Sequence, residues 1–334
     1  MNDRYQRPLH DLRISVIDRC NFRCVYCMPK EVYGQAFQFL PRAELLTFEE
    51  ITRVATVFAR LGVKKIRLTG GEPLIRRDIE HLVAQLAAIP GIEDIAMTTN
   101  GSLLTLEKAT QLRAAGLKRI TVSLDALDET IFQAINDVGY PAGRVLQAIE
   151  HAAAAGLNPV KVNMVVKRGV NESQIIPMAE YFRGTGHVLR FIEYMDVGTL
   201  NGWRLDDVVS AEEILTVIDR QFPLEPLPPR QPGEVARRFR YRDGGGEIGL
   251  IASVTQPFCR HCNRARLAAD GQLYTCLFNG TGHDLKALIR SGASDDELAD
   301  TIRQIWTVRQ DRYSELRTQE TRNLPKVEMF RMGG

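Results

Sequence analysis

The run Leu12-Arg13-Ile14-Ser15-Val16-Ile17 leads, two residues later, into Cys20-Asn21-Phe22-Arg23-Cys24-Val25-Tyr26-Cys27. The first six residues read as a β-strand. The segment after them carries three cysteines in C-x3-C-x2-C spacing within eight residues. In a parallel α/β sheet the loop after a strand lies at the carboxyl edge, where ligands bind.

The chain beyond Cys27 predicts such a sheet. Phe48 to Leu61 has helical spacing and ends at Gly62. Lys64 to Thr69 is the next strand, followed by the turn Gly70-Gly71-Glu72-Pro73. Helices over Ile79–Ile89, Leu106–Ala115, Gly143–Ala155 and Ser173–Phe182 then alternate with strands over Asp94–Thr99, Arg119–Leu124, Val160–Val166 and Val188–Tyr194. Six βα-type units in about 195 residues predict an α/β fold with a parallel, barrel-like sheet. After Tyr194 the pattern changes. Ala211 to Asp219 reads as a short helix, and Pro223 to Pro232, with five prolines, as a linker or extended arm. A hairpin turned at Asp270-Gly271 joins Arg266–Ala269 to Leu273–Leu277, and helices follow around Asp284–Ile289 and Asp295–Val308. The domain change is placed near residue 196, which gives 1–195 and 196–334.

At roughly 150 residues per domain, 334 residues accommodate about two domains or one large α/β domain with an extension. A formal net charge of +2 is too small to argue for nucleic acid as a partner, so anion binding must come from local clusters. The N-terminus has no apolar h-region, and no run of about 18 apolar residues occurs, so neither secretion nor a membrane span is expected. The expected compartment is a reducing cytoplasm. Six cysteines there read as ligands or catalysts rather than disulfides.

The cysteines fall into two groups of three. Cys20, Cys24 and Cys27 form the first; Cys259, Cys262 and Cys276, in C-x2-C-x13-C spacing, form the second, about 230 residues away. Three thiolates around a [4Fe–4S] cubane leave one iron open to a small molecule, whereas a structural zinc site is normally closed by a fourth ligand. Zinc at the first triplet lacks a nearby fourth ligand, and a redox pair at Cys24 and Cys27 leaves Cys20 unexplained. At the second triplet, zinc completed by His261 or His283 also fits the spacing. Alternation in an extended segment puts Arg264 and Arg266 on one face beside that triplet, as a site for an electron-rich ligand or as a solvated basic strand. Arg13, Arg67 and Arg190 sit inside apolar strand runs, where an unpaired cation is costly, so a bound anion is expected near them.

Cys20 to Cys27 and Gly70-Gly71-Glu72-Pro73, each directly after a strand, resemble the signature of the radical S-adenosylmethionine (SAM) superfamily. The resemblance implies a partial (β/α)6 TIM-like barrel whose first triplet holds a [4Fe–4S] cluster with an open iron that chelates SAM. It implies further contacts to SAM from Tyr26, Gly71, Ser123 and Met195.

From about Leu12 to Gly334 the chain is similar to one family, the GTP 3',8-cyclases that begin molybdenum cofactor biosynthesis. Its marks here are Thr98-Thr99-Asn100-Gly101, Val122-Ser123-Leu124-Asp125, Arg190-Phe191-Ile192-Glu193-Tyr194-Met195, the second triplet with Asn263-Arg264-Ala265-Arg266, and Gly333-Gly334. The resemblance implies a C-terminal extension whose Cys259, Cys262 and Cys276 hold a second [4Fe–4S] cluster, with guanine at its open iron. Arg13, Arg264 and Arg266 are implied at the nucleotide near the reacting centre, the two latter with catalytic roles. Lys65, Arg67, Lys161 and Arg190 are implied at the triphosphate, Thr98 in the same pocket, and Gly333-Gly334 inserted toward the active site. The implied reaction cleaves SAM to a 5'-deoxyadenosyl radical, abstracts hydrogen from C3' of GTP and joins that carbon to C8 of guanine, giving 3',8-cyclo-7,8-dihydro-GTP. Implied partners are an electron-donor protein and, by functional hand-off, the cyclic pyranopterin monophosphate synthase. The chain is expected as a monomer or homodimer. The basic stretch Arg230 to Arg242 is outside these motifs and reads as a solvated face. Rival readings are a radical SAM enzyme acting on a peptide, a two-cluster electron carrier and a zinc-stabilised binding module.

Overall fold

Strict alternation organises the central strands. In β1 (Asp11–Ser15), Leu12 and Ile14 are fully buried, and Arg13 between them faces the other side of the sheet. The same pattern recurs in β2 (Lys65–Thr69), β3 (Asp94–Thr99), β4 (Arg119–Ser123), β5 (Lys161–Val166) and β6 (Val188–Glu193). One face of each strand is apolar and packs on helices. The other carries Arg13, Lys65, Arg67, Thr98, Lys161, Asn163 and Arg190 toward the interior. The structure, a computed structural model, describes residues 1–231, 233–317 and 324–333.

Strands β1 to β6 pair in parallel in chain order, the partial-barrel order expected from the sequence. Helices α1 (Phe48–Arg60), α2 (Ile79–Ala87), α3 (Leu106–Ala114), α4 (Glu129–Asn136), α5 (Ala142–Ala154) and α6 (Ile175–Phe182) cover the outer face. One core joins Leu12, Ile66 and Val162 of the strands to Val54, Leu82, Val145 and Met178 of these helices. Local chemistry sets the helix starts. Thr47 and Glu50 form a reciprocal capping box on α1. Helix α7 (Ala211–Gln221) begins with the box Ser210–Glu213.

The sheet does not end at the change of pattern near 196. Strand β9 (Glu247–Ile251) joins β6 in parallel, and β10 (Arg264–Leu267) joins β1 in parallel. With β7 (Leu224–Leu227), β8 (Arg237–Tyr241), β11 (Gln272–Tyr274) and β12 (His283–Asp284), the described residues form one sheet in the order β12-β11-β10-β1-β2-β3-β4-β5-β6-β9-β8-β7. Part of the proline-rich segment is therefore strand: Leu224–Leu227 is an edge strand, a position that tolerates Pro226. Pro232 lies outside the described residues. The hairpin β10–β11 turns at Asp270-Gly271 as the sequence predicts, with Gly271 at φ +80°. Among the described residues, helices α8 (Leu285–Arg290), α9 (Asp295–Thr307) and the short α10 (Met329–Met332) follow, and Trp306 of α9 belongs to the same core as β1.

The helix over Glu129–Asn136 is absent from the sequence reading. Asp128 caps it by accepting from the Ile131 amide, and it carries Phe132 and Ile135 into the interior. Its last carbonyls reach the cysteine loop: Arg23 N–H donates to Asn136 and Val25 N–H to Ile135.

Candidate active site

The first triplet occupies the loop at the carboxyl edge of β1. Arg23 fixes that loop by donating to the Cys20 and Phe22 carbonyls at 2.7 and 2.8 Å. Gly71 is pressed against the loop from the end of β2, so closely that a Cβ there would overlap the Arg19 carbonyl. Burial, followed by Glu72, pushes the Cys20 thiol up to about 11. Burial also raises Cys24 and Cys27, and in both cases the neighbouring thiols of the triplet add to it. The three sulfurs thus share one poorly solvated space and repel one another as thiolates. A cationic iron centre reverses that logic, and its assembly must release protons. Tyr26 donates to Asp125 Oδ2 at 2.7 Å, which ties the loop to the end of β4. Glu72, fully buried, accepts from Thr99 Oγ1, Asn100 N and Leu74 N, and burial raises it to about 7. Ser123 ends β4 at the same edge.

A cavity of about 300 Å³ fills the interior between β1–β6 and the C-terminal strands. Arg13, Lys65, Arg67, Thr98, Lys161 and Arg190 all line it, together with Arg264, Arg266 and Met195. Register explains the convergence: Arg13 stands level with Arg67 on one side and Arg266 on the other. Lys65 meets Asp11 at 3.5 Å. Arg67 and Arg190 meet neutral partners: Arg67 donates to Thr98 Oγ1 and Arg190 Nε to Asn163 Oδ1, each at 2.9 Å. Burial and, behind it, mutual repulsion bring Arg67 down to about 10, Arg190 to about 9 and Lys161 to about 7. Burial brings Lys65 to about 8, against the pull of Asp11. So concentrated a positive site is built for a polyanion. Gly71, Ser123, Tyr26 and the first triplet are not part of this cavity's lining.

Cys259, Cys262 and Cys276 line the same cavity. Cys259 and Cys262 precede β10, and Cys276 follows the antiparallel β11, so the second triplet sits at the amino edge, opposite the first. Arg264 Nη2 donates to Cys262 Sγ at 3.3 Å. Burial would raise the Cys262 thiol, but Arg264, Arg309 and Arg266 outweigh it and bring Cys262 down to about 5. Burial pushes Cys276 up to about 12. Arg264 Nε and Arg266 Nε are buried without a protein partner, which suits a ligand rich in acceptors. The donor set and these orphaned donors fit a three-thiolate iron–sulfur centre facing the cavity. His261 and His283 are exposed and do not line it. Among the described residues, no three His, Cys, Asp or Glu side chains are grouped to hold a metal ion.

Sequence reasoning missed several lining residues. Arg119 of β4 faces the cavity and donates to Asp94 Oδ1 at 3.0 Å. The stretch Arg230 to Arg242 is not simply a solvated face. Arg230 and Arg238 line the cavity, Arg238 Nη2 holds both oxygens of Glu247 at 2.9 Å, and Gly233 packs on the His261 carbonyl and Asn263. The segment between β7 and β8 thereby reaches the residues before β10, a contact that no local pattern announces. Gly333, at φ +63°, lies against Thr69 at the end of β2, where a Cβ would overlap the threonine hydroxyl. Gly334 lies outside the described residues.

The model of the radical SAM superfamily matches residues 14–182, and that named Molybdenum Cofactor Synthesis C matches residues 187–315. A GTP 3',8-cyclase of Acidothermus cellulolyticus is 57% identical over 321 residues, covering 95% of this chain and 88% of its own length. One from Staphylococcus aureus strain MRSA252 is 52% identical over 338 residues, covering 100% and 99%. Among solved structures, Streptococcus suis SuiB bound to its precursor peptide SuiA superposes with a TM-score of 0.62 at 16% identity, over 89% of this chain and 67% of that one. SuiB bound to S-adenosylmethionine gives 0.61 at 16%, over 95% and 72%. These structural likenesses speak to the fold. On sequence, the chain belongs to the GTP 3',8-cyclase family of the radical SAM superfamily.

Proposed function

We propose that the chain converts GTP to 3',8-cyclo-7,8-dihydro-GTP, the first step of molybdenum cofactor biosynthesis, with two [4Fe–4S] clusters and S-adenosylmethionine as cofactors. The observation that carries this reading is one cavity lined both by a cysteine triplet and by buried cations that lack carboxylate partners.

Cys20, Cys24 and Cys27 would hold the first cluster, which when bound supplies the electron that cleaves S-adenosylmethionine. Tyr26, Gly71, Ser123 and Met195 would seat that molecule, with Gly71 allowing close backbone approach. Arg13, Lys65, Arg67, Lys161 and Arg190 hold the triphosphate through charge-assisted hydrogen bonds, and Thr98 orients Arg67. Cys259, Cys262 and Cys276 would hold the second cluster, and Arg264 and Arg266, which line the cavity beside them, would contact the base. Held at both ends, the nucleotide presents its ribose toward the carboxyl edge, and the sheet walls exclude water and stray hydrogen donors. In this division residues 1–195 serve the first cluster and S-adenosylmethionine. Residues 196–334 supply the second cluster and complete the substrate site. The enzyme works in the cytoplasm as a monomer or homodimer, takes electrons from a donor protein and hands its product to the cyclic pyranopterin monophosphate synthase.

Cys276→Ser tests the reading. The variant is expected to lose half its iron, keep the first cluster and lose cyclisation; full cyclase activity contradicts the role given to the second triplet.

A further inference from the structure

Beside the second triplet lies a network of four charged residues, with Asp3, Arg7 and Arg309 buried and Asp311 partly buried. Arg309, 4% exposed, follows α9 and is absent from the cavity lining. Its Nη1 donates to the Cys262 carbonyl at 2.7 Å and approaches Asp3 Oδ2 at 3.3 Å, and its Nε meets Asp311 Oδ2 at 3.2 Å. The remaining nitrogen, Nη2, donates to Cys262 Sγ at 3.3 Å. The Trp306 ring lies beneath the guanidinium at 4.5 Å. Asp3 is itself held by Arg7, whose Nε lies 2.6 Å from Asp3 Oδ2, and Arg7 Nη1 donates to the Cys259 and Asp311 carbonyls, both at 2.8 Å. The first residues of the chain and the end of α9 thus clamp both cysteines of the C-x2-C pair.

Such a network is a poor source of stability, because desolvating four charges offsets most of their attraction. Its product is geometric. All three guanidinium nitrogens are engaged and the planar fork has one orientation, which aims an N–H at one ligand sulfur. Hydrogen bonds to cluster sulfurs stabilise the more negative, reduced state and raise the reduction potential.

We infer that Arg309 is a positioning residue that sets the potential and electronic structure of the second cluster through Cys262, with Asp3 and Arg7 holding it in place. The inference rests on the reading that Cys259, Cys262 and Cys276 bind that cluster. Arg309 does not line the cavity, so its effect passes through the sulfur and not through contact with substrate.

The test uses the full chain with Cys20, Cys24 and Cys27 replaced by alanine, so that only the second cluster is loaded. Iron content, electron paramagnetic resonance of the reduced cluster and its potential are measured in this parent and with Arg309→Gln or Arg309→Lys added. Arg309→Gln is expected to shift the resonance and make reduction about tenfold less favourable, about 59 mV lower for one electron. Arg309→Lys keeps the charge but not the fork, and a smaller shift in the same direction is expected. A loaded Arg309→Gln variant with the parent's potential and spectrum overturns the inference. If Arg309→Gln takes up no iron, Arg309→Lys decides, and an unchanged potential in it overturns the inference equally. A parent that binds no iron refutes the cluster assignment itself, and the inference falls with it.

Discussion

The phenol of Tyr26 donates to Asp125 Oδ2 at 2.7 Å, and the other oxygen of Asp125 accepts from the Val165 amide at 2.8 Å. One buried carboxylate thereby ties the cysteine loop to the carboxyl ends of β4 and β5. Burial raises Asp125 to about 6, against the pull of these two donors. Tyr26→Phe removes the stronger donor. Loss of a hydrogen bond to a charged group costs about 1.5–3 kcal/mol. The variant is expected to melt lower and to bind S-adenosylmethionine more weakly, while loading both clusters. Unchanged melting and unchanged affinity contradict a positioning role for the pair.

The cations of the cavity predict proton uptake on binding. Burial and the neighbouring cations bring Lys161 down to about 7 from its ordinary 10.5, and burial brings Lys65 down to about 8. The folded chain therefore binds fewer protons than the unfolded chain between about 7 and 10.5, so this contribution to stability rises with pH through that window. A triphosphate offsets the repulsion and restores the protons. Calorimetric titration with GTP at pH 8, in buffers of different ionisation enthalpy, is expected to show protons taken up and affinity falling as pH rises. No uptake contradicts triphosphate binding by these lysines.

Lys161→Met separates stability from binding. The charged neighbours that act on Lys161 are Arg190, Arg119, Arg67 and Lys65, all cations. Removing the charge is expected to raise the melting temperature of the ligand-free protein near neutral pH. It is also expected to weaken GTP about tenfold or more, the loss of one charge-assisted contact. A variant that loses stability, or keeps full GTP affinity, contradicts the account.

Gly333→Ala strains the backbone at φ +63° by about 1–2 kcal/mol and drives a methyl into Thr69. The C-terminal turn, which packs against β1 through α10, is expected to lift from the carboxyl edge, and turnover to fall while both clusters remain. Thr69→Gly combined with Gly333→Ala removes both the hydroxyl and the Cβ that the new methyl would meet but not the strain, so partial recovery is expected. Additive losses in the double variant contradict this packing.

Much of this architecture is legible in local sequence because its causes are local. Periodicity locates β1 to β6 and the covering helices except α4, whose eight residues follow β4 without a pattern of their own that the reading picked out. Cysteine spacing singles out both triplets, and Asp270-Gly271 announces the hairpin that returns Cys276 to its partners. What escaped depends on non-local pairing. Nothing in Glu247–Ile251 or Arg264–Leu267 states that these short strands flank β6 and β1 in parallel. Asp3, Arg7 and Arg309 are ordinary charges in sequence and become a clamp only when the two chain ends meet. Arg230 and Gly233 likewise gain a place at the cavity only because the segment between β7 and β8 reaches the residues before β10.

The most direct test of the central claim is anaerobic turnover of the fully loaded enzyme with S-adenosylmethionine and reductant, with and without GTP. 5'-Deoxyadenosine and cyclised nucleotide are followed together. The account predicts that both accumulate in GTP-dependent fashion and in equal amounts. 5'-Deoxyadenosine released while GTP stays intact contradicts the substrate assignment that the cation-lined cavity supports.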